Sequence, residues 1–112
     1  MADGREMIEE AYKIITGIAD GVGDLKGRYS EEAFSEFEAS IGSSLKWVKL
    51  CRNKVWLRTG EGIERAQGCL AAAQRMKADL GNPAAASEAA ADLSSQLEAL
   101  ARIISTKAQI IT

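Results

Sequence analysis

Residues 46–58, KWVKLCRNKVWLR, form the most unusual stretch of this 112-residue chain and decide how its second helix is arranged. The stretch holds both tryptophans, one of the two cysteines and five of the fourteen basic residues. On a helical wheel at about 100° per residue, Val48 and Val55 share one side with the preceding apolar residues. The opposite side carries Trp47, Leu50, Lys54 and Leu57. A helix that is apolar on two sides needs a second surface to cover it.

Two arrangements of this stretch follow from the pattern. If the helix continues through Arg52, we expect an interface whose partner-binding residues are Trp47, Leu50, Lys54 and Leu57, with a homodimer as its simplest form. The alternative is a break near residues 52–53, which rotates the later residues back into the core. Arg52 favours the break, because a continuous helix places its charge within the apolar stripe. There it must reach solvent, a carboxylate or an anion.

The basic residues of the same stretch suggest a different function, the binding of nucleic acid or another anionic ligand. The contacts would come from Lys46, Lys49, Arg52 and Arg58, with the tryptophans stacking on bases. Residues 46–77 carry eight basic and two acidic residues, a local net charge of +6. However, the basic residues surround the helix instead of sharing one face, and the whole chain has a formal charge of −2. We therefore keep this function as the alternative to protein binding.

Outward from this stretch, the apolar periodicity predicts four helices joined by short turns. The first begins near Asp3 and either frays into a loop after about Asp20, where glycines accumulate, or uses these glycines to admit another backbone closely. The second begins at Ser30, a favourable N-cap, and runs to about Arg58. The third runs from about Glu61 to Leu80, and the fourth begins after Asn82 and Pro83. We expect an all-α fold, an antiparallel four-helix bundle with up-down-up-down direction that associates with itself.

The composition argues against an enzyme. A chain of 112 residues predicts one domain, residues 1–112. It contains no histidine, which removes histidine-based catalysis and histidine metal ligands. Cys51 and Cys69 lack metal-ligand spacing and are expected to be buried, reduced thiols. The pairs Glu6/Glu10 and Glu32/Glu36 have the four-residue spacing of a carboxylate metal site on a helix, but they point away from the apolar stripes. We therefore expect no catalytic residue, no metal and no cofactor.

The ends of the chain and its hydropathy bear on where the protein acts. No apolar run reaches the roughly 20 residues of a membrane span, and the acidic start MADGREMIEE is unlike a secretory signal. A secreted protein with one disulfide is the weaker alternative. The sequence thus predicts a cytoplasmic interaction protein, such as an adaptor, a chaperone or an inhibitor. We expect it to bind itself or another protein and not to bind a membrane.

Overall fold

The computed structural model describes residues 3–111, with the side chains of residues 3–107, and confirms the all-α four-helix bundle. The helices are α1 (Gly4–Asp20), α2 (Glu31–Cys51), α3 (Gly60–Ala78) and α4 (Pro83–Ile111). Two short 3₁₀ turns, Val22–Leu25 and Val55–Arg58, lie in the α1–α2 and α2–α3 connections. No strand occurs among residues 3–111.

The helix starts follow the capping residues of the sequence. The Asp3 carboxylate accepts hydrogen bonds from the backbone N–H groups of Arg5 and Glu6 at the start of α1. Ser30 Oγ accepts from the N–H of Ala33 at 3.2 Å, and Asn82 Oδ1 accepts from the N–H of Ala85 at 3.3 Å. Each cap satisfies a donor that the first turn of a helix leaves without a partner.

The helices alternate in direction, yet the parallel helices are neighbours. Ser94 Oγ, midway along α4, donates to Ser43 Oγ, midway along α2, at 2.8 Å, and the two helices begin at the same end of the bundle. The helix α1 likewise packs beside α3, and both begin at the opposite end. The helices α2 and α3 therefore lie diagonally across the bundle, and the segment 52–59 crosses its end to join them.

The core takes large side chains from three helices and small ones from α3. Ile8, Ile15, Phe37 and Leu97 are among the fully buried large residues. The buried face of α3 is made mainly of small residues: Gly62, Ala66, Cys69, Ala72, Ala73 and Met76. Because small side chains fill little volume, α3 lies close to its neighbours and the larger residues of α1 and α4 fill the interior.

The helix α2 ends at Cys51, so the predicted continuation to Arg58 is wrong and the alternative of a break is correct. Arg52 leaves the helix with ψ at 138°, and Asn53 takes a left-handed φ of 60°. Asparagine tolerates this conformation better than most residues, because its short polar side chain bonds locally to the backbone. The segment 52–59, named the strap from here on, then runs to the start of α3.

Leu57 of the strap is held between the first turns of α1 and α3. A methyl group added at Gly62 would meet the Trp56 carbonyl and lie 2.7 Å from Leu57 Cα. A methyl group added at Gly4 would meet the Leu57 carbonyl and lie 3.1 Å from its Cβ. Both positions require glycine because the strap backbone passes so close to them. The strap thereby fixes α1 beside α3 at this end of the bundle.

Candidate interaction surface

The break in α2 separates the four residues expected to bind a partner. Trp47 lies half-buried on α2, Leu50 is 52% exposed in its last turn, and Lys54 is exposed in the strap. Leu57 is 0% exposed and belongs to the core. The prediction that Leu57 lies on a partner-binding surface is therefore wrong. The left-handed residue Asn53 turns the chain and points Leu57 inwards.

Val55 differs from its prediction in the opposite direction to Leu57. Its spacing predicted a place on the inner stripe of α2, but it is 72% exposed after the break. Leu50 and Val55 are the exposed large hydrophobic residues among the side chains of residues 3–107. Both therefore lie within six residues of each other, at one end of the molecule. The Arg52–Asn53 pair was the sequence signal for this change, because it interrupts the apolar stripe.

Trp47 is flanked by two cations, one from its own helix and one from α4. Lys46 Nζ lies 4.9 Å and Arg102 Cζ 5.6 Å from the centroid of the Trp47 ring. Glu98 accepts a hydrogen bond from Arg102 Nε at 3.1 Å and holds that guanidinium in place. Sequence reasoning missed Arg102, since only the parallel packing of α2 on α4 brings it to Trp47. We name Lys46, Trp47, Leu50 and Arg102 the Trp47 surface.

Arg52 has a structural partner. Its guanidinium donates to Glu9 from Nε at 2.9 Å and from Nη2 at 2.7 Å, and it stacks on the Tyr12 ring at 3.9 Å. These hydrogen bonds from Arg52 lower the pKa of Glu9 below its ordinary value. Arg52 was expected to reach solvent, a carboxylate or an anion, and in the structure it binds the carboxylate of Glu9. Its guanidinium therefore joins the end of α2 to α1. Glu9 already accepts the hydrogen bonds that Arg52 would donate to an anionic ligand.

The remaining basic candidates are divided between α2 and the strap. Lys49 is exposed on the last turns of α2, and Arg58 is exposed at the end of the strap, beyond the break. Lys46 lies beside Trp47. The break thus places Lys46 and Lys49 on α2 and Arg58 on the strap.

The two thiols are buried and free, as expected. Burial raises the pKa of Cys51 to about 12, and its Sγ donates to the Leu97 carbonyl at 3.7 Å. Burial likewise raises the pKa of Cys69 to about 12. Because a thiolate is the reactive form of cysteine, both groups are held in the unreactive form at neutral pH.

A surface groove of about 520 Å³ lies between α2 and α4 at the end of the bundle where both helices begin. Ser43 and Ser94 meet between this groove and the Trp47 surface. The groove is lined by Ser30, Glu32, Ala33, Glu36, Ala84, Ser87, Glu88 and Ala91. All of these are small or acidic, in contrast with Trp47, Leu50 and the cations of the Trp47 surface. We name it the α2/α4 groove.

The carboxylate pairs weighed as metal ligands lie in solvent. Glu6, Glu10, Glu32 and Glu36 are all exposed. Among the described residues, no group of three or more histidine, cysteine, aspartate or glutamate side chains is placed to hold a metal ion. Within the same part of the chain, no helix has the length and apolar character needed to cross a membrane.

Comparison with known proteins leaves the function to be argued from the surface itself. No family model, no curated protein and no solved structure matches this chain.

Proposed function

We propose that this chain is a cytoplasmic, non-enzymatic interaction protein that binds a partner protein through the Trp47 surface. The observation that carries the proposal is the 52% exposure of Leu50, one turn from a half-buried tryptophan. Together they make an apolar patch with charged residues at its edge, and patches of this kind mark interaction sites on soluble proteins. Leu50 lies in the last turn of α2, the helix that packs beside α4.

The composition of the surface supports protein binding. Tryptophan and arginine are enriched among the residues that dominate binding energy, and truncation of such a residue typically costs about 2 kcal/mol or more. Trp47 already rests partly on the core, so little freedom of its ring is lost on binding. The cations on both sides favour a partner with acidic groups around an apolar centre.

Two further observations support a role without catalysis in a reducing compartment. The thiols of Cys51 and Cys69, the strongest nucleophiles of a chain without histidine, are protonated and enclosed. Free thiols persist in the cytoplasm, where glutathione and thioredoxin keep them reduced. The unreactive state of both thiols at neutral pH supports a proposal of binding without catalysis.

Photo-crosslinking from position 50 tests the proposal. Leu50→benzoylphenylalanine is produced in the native host and irradiated, beside Gln74→benzoylphenylalanine, an exposed control on α3. We expect a discrete crosslinked protein species from position 50 and none from position 74. Trp47→Asp in the position-50 chain should abolish the species while circular dichroism stays unchanged. The proposal is wrong if position 50 gives no species, or the same species as position 74.

The second candidate function is the binding of nucleic acid or another anionic ligand. The Trp47 ring between Lys46 and Arg102 favours it, because stacking beside positive charge is how single strands are held. Arg52 counts against it, since Glu9 already neutralises that guanidinium. Titration of a Trp56→Phe variant with single-stranded oligonucleotides would show quenching of Trp47 fluorescence that weakens steeply with salt. A flat titration at low salt removes this candidate.

A further inference from the structure

The outer face of α2 and α4 has two unlike halves. Along α2, the residues of this outer face recur at steps of three and four: Ala33, Glu36, Ser40, Ser43, Trp47 and Leu50. The first four are small or acidic, and the last two are bulky and apolar. One half of this face therefore projects, whereas the other half is recessed where the groove measures about 520 Å³.

The charges on this face are divided in the same way. Glu32, Glu36 and Glu88 line the recessed half, and Lys46 and Arg102 flank Trp47 in the projecting half. Within the described side chains, the three glutamates and Lys46 form no ion pair. The face thus carries both a basic apolar projection and an acidic recess of complementary character.

We propose that the partner at the Trp47 surface is a second copy of this chain, packed antiparallel on the same face about a two-fold axis. This inference rests on the proposed function and names its partner. The axis lies between the two copies, perpendicular to the helices, so that α2 packs on α2 and α4 on α4. Each copy then places its Trp47 and Leu50 against the recess of the other, as an isologous interface requires.

The positions along the helices agree with one axis. On α2, Glu36 and Lys46 lie equally far from position 41, so an axis there pairs each glutamate with the other copy's lysine. On α4, Glu88 and Arg102 lie equally far from position 95. These two levels are close together in the bundle, because Ser43 and Ser94 are hydrogen-bonded at 2.8 Å. Both helices therefore bring opposite charges together across the same axis.

The size of the face predicts the strength of the dimer. The 21 residues of α2 extend about 30 Å at 1.5 Å per residue, and two helices side by side are about 20 Å wide. The buried area is then about 600 Å² per copy, below the ~800 Å² typical of stable complexes. We therefore expect a dimer that dissociates on dilution.

Light scattering coupled to size-exclusion chromatography tests the arrangement. At high concentration the wild type should have twice the 12.0 kDa mass of one chain, and the mass should fall on dilution. Glu36→Lys and Lys46→Glu should each give monomers, because either change brings like charges together across the axis. Mixing these two variants should restore the dimeric mass, since all the facing pairs are then of opposite sign. Glu10→Lys, an exposed charge reversal on α1, should stay dimeric.

Each other outcome overturns the inference in a distinct way. A wild type that is monomeric at every concentration excludes the second copy. If position 50 still crosslinks to a different protein, the proposed function stands without the dimer. A dimer that survives both charge reversals, or that mixing fails to restore, excludes the antiparallel two-fold arrangement. Circular dichroism of each variant separates loss of association from loss of folding.

Discussion

Leu50 and Leu57 are seven residues apart in one apolar pattern, yet Leu50 is 52% exposed and Leu57 is 0% exposed. On a continuous helix two residues at this spacing would share a face and a common environment. The left-handed Asn53 between them leaves Leu50 at the surface and places Leu57 in a small pocket between Gly4 and Gly62. The backbone conformation of one residue therefore decides which apolar side chains are available to a partner.

Truncation of the two leucines should give the largest difference. Leu57→Ala removes a fully buried side chain and is expected to lower the free energy of unfolding by about 3 kcal/mol, through lost burial and the cavity left behind. Leu50→Ala should change it by less than about 0.5 kcal/mol, as surface substitutions usually do. Urea denaturation of both variants at a concentration that keeps them monomeric makes the measurement. Equal losses would mean that the two leucines share an environment.

The close contact between the strap and Gly62, beside the Leu57 pocket, is tested by adding one methyl group. Gly62→Ala forces the strap away from α3 and should cost about 2 kcal/mol, because overpacking outweighs the better helix propensity of alanine. Gly60→Ala is the matched control, since a Cβ at that position meets nothing within 4 Å. It should be neutral or stabilising by up to about 1 kcal/mol. Thermal unfolding of the two variants makes the measurement. If both alanines stabilise the protein, the strap does not pass close to Gly62.

The break in α2 is tested by the order of stability of two substitutions at Asn53. Asn53→Ala should lower the free energy of unfolding by about 1 kcal/mol, because an alanine pays more than asparagine to hold a left-handed conformation. Asn53→Gly should stay within about 0.5 kcal/mol of the wild type. In a continuous helix the order reverses, since alanine is then the best residue and glycine the worst. Chemical denaturation of both variants distinguishes the two orders.

The smallest expected effect concerns the ion pair that holds the break. Arg52 lowers the pKa of Glu9 below its ordinary value of 4.5. A carboxylate with a lowered folded-state pKa stabilises the fold above its unfolded pKa, and this contribution is lost as the pH falls through the folded value. Glu9→Gln should therefore reduce the loss of stability between neutral pH and pH values below about 4.

The control for this ion pair is Arg52→Gln, alone and combined with Glu9→Gln. If the pair is formed in solution, the double variant is less destabilised than the sum of the single variants. Additive losses in denaturation at neutral pH would contradict the contact between the end of α2 and α1. Both side chains are about one third exposed, so the coupling is expected to be modest.

Sequence reasoning recovered most of the fold, because helix periods and caps are local signals. Asp3, Ser30 and Asn82 were identified from their own neighbours, and each caps the expected helix. The end of α2 was missed in the main prediction, although Arg52 within the apolar stripe was a local signal for it. Arg52 leaves the helix with Glu9 as its partner, 43 residues away, and periodicity within α2 carries no record of that contact.

The surface was recovered in part for the same reason. Trp47 and Leu50 lie before the break, where the wheel is valid, and both are on the outside as expected. Leu57 and Val55 lie after it, and their predicted environments are interchanged. Arg102 joins Trp47 only through the packing of α2 on α4. A local pattern could therefore supply the centre of the surface but not the residue from α4.

The diagonal strap also has a consequence for how the chain folds. The α1–α2 and α3–α4 pairs are each hairpins of neighbouring helices, whereas the contacts between the hairpins join distant residues. Tyr29 to Leu80 and Ser43 to Ser94 each span 51 positions. Closing loops of this length costs chain entropy before any contact is gained, so local hairpins form sooner. We expect two hairpins that form early and dock late, with the seating of Leu57 as the step that joins them.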